Sequence, residues 1–406
     1  MPRLIEFIFS HLRLSIKLSI SNIGDITTTS PRHSTILILL GFLFGATPTF
    51  AATNIAPLPQ AVSNNAVAMV HANKQTYLLS FMGLGKDKDY QDVHNLAWAL
   101  AIDNTNPHWQ SIKAVPHVAP LSGRLAAIAV GIKEHAYVFG GYTVAENHDE
   151  ISTVDNYQYS ISTNSYQRIA DMPVAVDDTT AATYQQRYIY LFGGWHNDGN
   201  VNLVQVYDTQ TNTWAQASPI PAPAVFGQAV GIVGNQLVLC DGVKVQPNIN
   251  ARRSYQASPV CLFGEISPEN HLRIDWQLLP HYSSVAKQTE TQSHAPTAHY
   301  RMAATGIMTP KGGQIVFLGG SDNPYNYSGI GYNGQPSEPS GQQYRFDLVS
   351  KQWLTPQALA QPSMDHRGLL CWQTTLLRVG GMLVKQNVSN HVLTTTLNAN
   401  ETCAVD

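Results

Sequence analysis

Charge is sparse in this sequence: 13% of its 406 residues are Asp, Glu, Lys or Arg, and 24 basic against 27 acidic residues leave a net charge of −3. Nucleic-acid binding rests on a basic stripe or patch, and none is present, so no nucleic-acid partner is expected. Long apolar runs are also missing. The longest, ILILLGFLF from Ile36 to Phe44, falls short of the ~18 apolar residues that a permanent transmembrane helix needs, so no stable membrane span is expected. Cysteine is rare. Cys240, Cys261, Cys371 and Cys403 form no C-x-x-C pair and no Cys/His cluster, so neither a metal site nor a cofactor is expected.

The apolar run follows Arg32 and His33 and precedes the small residues Thr49 to Ala52, the layout of a secretory signal peptide. Periplasmic or secreted localisation is therefore expected, with residues 1–52 as extension and signal, 53–398 as the folded domain and 399–406 as a tail. Residues 1–30 read either as an over-extended gene start or as an amphipathic extension. An even cysteine count in an exported chain permits two disulfides, Cys240 with Cys261 and Cys371 with Cys403 by neighbourhood. Buried free thiols are the alternative.

What the sequence does have is a repeat. An apolar, aromatic-rich strand ending in a glycine pair recurs as SFMGLG (Ser80 to Gly85), YVFGG (Tyr137 to Gly141), YLFGG (Tyr190 to Gly194), VLCDG (Val238 to Gly242), VFLGG (Val316 to Gly320) and LRVGG (Leu377 to Gly381). Leu84 and Asp241 stand where a glycine is expected. The period is mostly about 50 to 60 residues, close to that of kelch blades. A second element brackets a polar turn between two large residues: Ile102 with Trp109, Tyr159 with Tyr166, Tyr207 with Trp214, and Phe346 with Trp353. Each repeat thus reads as a four-stranded antiparallel meander, and the fold class as an all-β, six-bladed kelch-type β-propeller. The last repeat supplies three strands, ending near Leu397, and the segment Asn54 to Gln60 is expected to close the ring as an N-terminal strand.

These repeats, the short N-terminal PLP segment, the GLG of blade one and the three-stranded last blade make the chain resemble the bacterial N-acetylneuraminate epimerases (sialic acid mutarotases). The resemblance implies an exported propeller that interconverts the anomers of a free acidic sugar without a cofactor. It also implies a catalytic glutamate directly after the blade-four glycine and an arginine several residues later. Val243 stands at the acid's position, Lys244 follows, and Arg252 and Arg253 match the arginine region. The wider superfamily includes radical copper enzymes, but that chemistry needs two histidines and two tyrosines, one of them cross-linked to cysteine. His94, His148, His196 and His281 are too scattered in sequence to suggest it.

Kelch propellers host many functions, so the site has to be argued from residues. The entries to the innermost strands and the loops after the glycine pairs open on one face. That face should gather Arg124, Asp177, Asp178, Tyr300, Arg301, His366 and Arg367 from the entries, and Tyr142, Trp195, Lys244, Arg252 and Arg253 from the loops. Several arginines round one mouth suit an anionic sugar, because guanidinium bonds carboxylate oxygens in pairs. Trp195 could stack on a sugar ring. Ring opening needs one proton removed from the anomeric hydroxyl and one given to the ring oxygen, for which His366 and Asp178 are candidates beside Arg252 and Arg253. The insertion Ser321 to Gln343 is expected to cover the mouth. The expected partner is a small-molecule sugar; a non-catalytic carbohydrate- or protein-binding propeller is the alternative, and the oligomeric state is open.

Overall fold

The computed structural model describes residues 55–406 apart from 118–122, 148, 249–250, 287–296 and 405–406, with the backbone alone at 248, 251–253 and 285–286. The proposed signal segment, and His148, lie outside the described residues.

Among the described residues six antiparallel sheets of three or more strands follow one another, with four two-stranded hairpins beside them. Blade one runs Ala66–Ala72, Gln75–Leu84, Val93–Ala101, Gln110–Ile112; blade three runs Thr180–Tyr184, Tyr188–Phe192, Val204–Asp208, Thr213–Gln216. Blade two, Ile128–Ile132 to Ser165–Ile169, and blade four, Ala229–Val233 to Ile274–Leu279, repeat the meander. Three of the four aromatic brackets are cross-strand partners: Tyr159 opposite Tyr166, Tyr207 opposite Trp214, Phe346 opposite Trp353. Such pairs fill the widening space between blades, as where Phe139 of blade two meets the edge of Trp214 at 5.6 Å. Ile102 is the exception. It falls just beyond Val93–Ala101, which pairs Ala99 with Gln110, and it packs with Trp109 in one apolar cluster instead of facing it.

Blade six has three strands, Leu370–Trp372, Thr375–Val379 and Val392–Thr396. The N-terminal segment lies against it. Leu58 N–H donates to Asn390 O at 2.7 Å, Asn390 Nδ2 donates back to Leu58 O at 3.0 Å, and Ile55, Leu58 and Val62 pack with Leu377, Val379 and Val392. The arm closes the ring through these contacts rather than through a continuous ladder. At the other end Thr402–Cys403 pairs with Met308 and Ile307 on the inner edge of blade five, so the segment after residue 398 is built into a sheet. Both disulfides join the neighbours expected, Cys240–Cys261 across two strands of blade four and Cys371–Cys403 from blade six to that last strand.

The glycine pairs are left-handed turns. In blade two Gly140 and Gly141 have φ +56 and +89, and a Cβ on Gly140 would sit 2.1 Å from Val176 O. Blade one corrects the sequence reading. Met82 (φ +57) and Gly83 (φ +124) form its pair, and Leu84 is the residue after it, bridging Ser63 as Tyr142, Trp195 and Val243 bridge their own entries. Met82, not Leu84, therefore replaces a glycine.

Candidate functional site

The geometry of the axis comes from one residue per blade. Asn64, Ala126, Asp178, Gly227, Arg301 and Asp365 each enter an innermost strand in the left-handed conformation, with φ between +48 and +67. The residue before each forms a bridge to the residue that follows the glycine pair: Ser63–Leu84, Leu125–Tyr142, Asp177–Trp195, Phe226–Val243, Tyr300–Ser321 and Met364–Met382. Backbones link from blade to blade, Asp178 N–H to Ala126 O at 3.1 Å, Gly227 N–H to Asp178 O at 2.8 Å and Arg301 N–H to Gly227 O at 2.9 Å. Gly227 has to be glycine here, since a Cβ would stand 1.9 Å from the Tyr300 ring.

Three of these ring residues are charged, and with Arg367 they form a buried network. Arg301 donates to Asp178 through Nε at 3.0 Å and Nη2 at 2.5 Å, and to Asp365 through Nη1 at 2.8 Å. Arg367 pairs with the same Asp178 carboxylate and donates to Asn64 Oδ1; Asn64 Nδ2 in turn donates to Asp365 at 2.7 Å. The Arg301 guanidinium also lies 4.6 Å from the Tyr300 ring and 5.3 Å from that of Tyr325. Burial alone would raise the Asp178 carboxyl, but Arg301 and Arg367 overcome that and hold it below its ordinary range.

Next to the network is a cavity of about 410 Å³, walled by Tyr142, Glu150, Asp177, Asp178, Trp195, Asp198, Phe226, Tyr255, Arg301, Tyr327 and Tyr332 among others. Its sides are small hairpins that follow the glycine pairs, Tyr142–Val144 with Glu150–Ser152 and Trp195–His196 with Gly199–Asn200, together with the hairpin Val243–Asn248 and Ala251–Ala257 that carries Tyr255. Trp195, Phe226 and Tyr255 meet with centroids 5.5 to 6.1 Å apart, and Tyr255 stacks on Tyr332 at 4.0 Å. Tyr327 and Tyr332 belong to the insertion expected over the mouth. Within it Asn323 bonds Asn333 and Gln335 O, and Gln386 anchors it from outside by donating to Ser337 O at 2.7 Å.

Asp177 is the unusual group in this wall. Ser152 Oγ donates to its Oδ2 at 2.6 Å, and its backbone exchanges hydrogen bonds with Trp195 at 2.9 and 2.8 Å. Burial, reinforced by the charge of Asp178 next to it, pushes its carboxyl well above the ordinary value. A carboxyl raised in this way keeps its proton to higher pH than a free one, the direction that a general acid needs.

Of the residues singled out in the sequence, the structure brings Tyr142, Asp177, Asp178, Trp195 and Arg301 into the cavity wall. The others lie elsewhere. Arg124 turns into blade two, pairing with Asp155 at 2.5 Å and bonding Gly140 O at 3.1 Å. Tyr300 is buried behind the wall, its ring edge-on to Phe226 and its hydroxyl donating to Asp178 at 3.1 Å. Lys244 lies in its hairpin opposite Gln256, outside the cavity lining. Arg367 borders a separate 630 Å³ channel along the inner strands. His366 is enclosed with Ser363 Oγ 2.8 Å from its Nε2, and burial, with Arg378 and Arg367 nearby, lowers its pKa to about 3. The side chains of Arg252 and Arg253 lie outside the described residues.

The arginine-lined mouth expected from sequence is therefore mostly an internal salt-bridge network. A guanidinium taken out of water needs a carboxylate partner, and here Asp178, Asp365 and Asp155 supply it. Val243, at the position where the resemblance implies an acid, is fully buried in a cluster with Phe226, Tyr300, Tyr325, Met364 and Met382. Glu150, Asp198, Phe226, Tyr255, Tyr327 and Tyr332 were not foreseen as wall residues. The two acids could have been found by carrying the Trp195 and Tyr142 positions forward into their hairpins.

The KLHDC2/KLHL20/DRC7 Kelch-repeats domain family matches residues 58–251. This chain is a kelch-repeat propeller. It resembles the N-acetylneuraminate epimerases, with 20% identity to that of Salmonella typhimurium over 54% of the chain and 62% of the relative, and 22% to that of Yersinia pestis over 65% and 71%. The human Rab9 effector protein with kelch motifs is 27% identical over 26% of the chain. Matched stretches cover 29% of that human protein and 62% of the Salmonella one, less than two thirds of either. The solved structure of YjhT superposes with a TM-score of 0.63 at 16% identity, over 85% of this kelch propeller and 98% of that chain, which supports the fold.

Proposed function

We propose that this kelch propeller is an exported, cofactor-independent mutarotase of a free sugar, and that the reaction takes place in the aromatic and carboxylate cavity. The observation that carries the reading is Asp177, a cavity-wall carboxyl favoured in its protonated form beside an aromatic surface on which a pyranose can stack. Protonated Asp177 gives its proton to the ring oxygen as the anomeric C–O ring bond breaks. A carboxylate of the same wall, Glu150 or Asp198, takes the proton of the anomeric hydroxyl. Rotation about the adjacent carbon–carbon bond and reversal of the two transfers close the other anomer and return both carboxyls to their starting protonation. No redox step or cofactor is required.

The names of the relatives make N-acetylneuraminate the first substrate to try, and the strand bearing Arg252 and Arg253 borders the cavity through Tyr255. The two disulfides fit an oxidising compartment and support export. NMR exchange between α and β anomers tests the proposal, with N-acetylneuraminate and neutral N-acetylhexosamines compared side by side. Acceleration over buffer that drops about 10²- to 10⁴-fold in Asp177→Asn is the expected result. Binding without acceleration for every sugar would replace the reading with a carbohydrate-binding propeller, which the stacked aromatic wall also suits.

A further inference from the structure

The hydroxyl that meets Asp177 is held by two hairpins at once. Ser152 ends the strand Glu150–Ser152 in the blade-two hairpin, and Asn197 sits in the turn between Trp195–His196 and Gly199–Asn200 of blade three, with φ +43. The two residues exchange hydrogen bonds: Ser152 N–H donates to Asn197 Oδ1 and Asn197 N–H donates to Ser152 Oγ, both at 3.3 Å. With Oγ accepting from Asn197, its own hydrogen goes to Asp177 Oδ2 at 2.6 Å. Among the described residues this is the one hydrogen bond that the Asp177 side chain makes. Ser152 is itself buried and does not line the cavity.

A hydroxyl has a single hydrogen. Because Ser152 directs it at Oδ2, that oxygen is held as an acceptor, and the proton of a neutral Asp177 has to sit on Oδ1. Oδ1 makes no hydrogen bond to any described residue, so it is the oxygen left for a ligand. A hydrogen bond to a carboxylate is stronger than one to a neutral carboxyl. The Ser152 bond therefore tightens as Asp177 loses its proton, and an interaction that strengthens along the reaction lowers its barrier.

We propose that Ser152 is a positioning residue for proton transfer by Asp177, keeping the acidic hydrogen on Oδ1 and stabilising the carboxylate left when that hydrogen departs. The inference rests on the general-acid role proposed for Asp177 above. In that step the Oδ1–H bond breaks and its electron pair stays on Asp177. The pair of the breaking anomeric C–O ring bond goes to the ring oxygen and takes the proton, while the Ser152 O–H bond stays intact.

The surrounding charges give the inference a sign. Burial and the charges of Asp178 and Glu150 raise the Asp177 carboxyl, whereas the Ser152 hydrogen bond and Arg367 lower it. Asp149, Asp198 and Arg301 are the other charged residues of the described wall, and Tyr142 is a neighbouring titratable group. Losing the Ser152 hydroxyl should therefore raise the Asp177 carboxyl further. A general acid works while it is protonated, so the fall in rate on the alkaline side should move to higher pH.

Two measurements on the full-length protein with both disulfides intact test this. Carboxyl carbon NMR of aspartate-labelled protein, with the Asp177 signal assigned by its loss in Asp177→Asn, follows the titration without any sugar. The midpoint should move up in Ser152→Ala and return in Ser152→Thr, which keeps the hydroxyl. In anomer exchange Ser152→Ala should lower kcat by roughly tenfold with KM unchanged and shift the alkaline limb upward, and Ser152→Thr should stay near the parent. Exchange in the parent with an unmoved or lowered midpoint in Ser152→Ala would overturn this inference alone, even if the rate dropped. Absence of exchange in the parent would remove the mutarotase reading and this inference with it.

Discussion

Inside the ring, Asp178 shares its carboxylate between two guanidinium groups, whereas one residue earlier Asp177 sits in the cavity wall with Ser152 Oγ as its side-chain partner. Both are buried, at 3% exposure each, so burial alone cannot explain why one carboxyl is lowered and the other raised. The difference lies in the cations. Desolvation penalises either carboxylate, and only Asp178 receives enough compensation from Arg301 and Arg367 to stay charged. Its retained charge then acts on Asp177. The axial network thereby adds to the burial that raises the carboxyl in the cavity wall.

Removing a cation from the network should give the largest effect on stability. Arg301→Met leaves Asp178 and Asp365 short of a buried partner, and a loss of about 3–5 kcal/mol is expected from urea unfolding. Arg124→Met is the control. Arg124 pairs with Asp155, whose side chain is 17% exposed and can recover water, so that variant should lose clearly less. Equal losses would mean that the axial network has no special weight.

Placing an acid where the family resemblance implies one should nearly match that loss. Val243→Glu puts a carboxyl into a cluster of Phe226, Tyr300, Tyr325, Met364 and Met382 with no cationic side chain among them, at an expected cost of several kcal/mol near neutral pH. Calorimetric melting should show a lowered Tm, and anomer exchange should not rise. A stable, faster Val243→Glu enzyme would show that proton transfer belongs to blade four and not to Asp177.

Much of this architecture was legible in the sequence, and the reasons are local. The glycine pairs mark turns that need positive φ, and the brackets at Tyr159, Tyr207 and Phe346 mark strand partners, so the blades could be counted without long-range information. Met82 hid the blade-one pair because a buried methionine in the left-handed region carries no signal of its own. The site was legible only as a set of positions. That Asp178 should meet Arg301 and Arg367, more than 120 residues away, depends on ring closure, which no local pattern encodes. For the same reason His281 read as one of several scattered histidines, although Asp241 and Tyr282 link it to His299.

The smallest effects should come from pH, where the two aspartates have opposite signs. Asp178 has a folded value below its ordinary one, so its contribution is present above the unfolded value near 3.8 and is lost as pH falls through the folded value. Asp177 has a folded value above its ordinary one. In acid it is protonated in both states and costs nothing; as pH rises past 3.8 the unfolded chain gives up this proton first, so a penalty grows and is complete above the folded value. Asp178→Asn should therefore lose stability relative to the parent at neutral pH, with the deficit shrinking below about pH 4. Asp177→Asn should gain on the parent as pH rises from 4, by an amount fixed by how far the folded carboxyl is raised. Urea unfolding across pH 3 to 8 measures both differences, and parallel curves for the two variants would remove the contrast between the neighbouring carboxyls on which the proposed proton transfer rests.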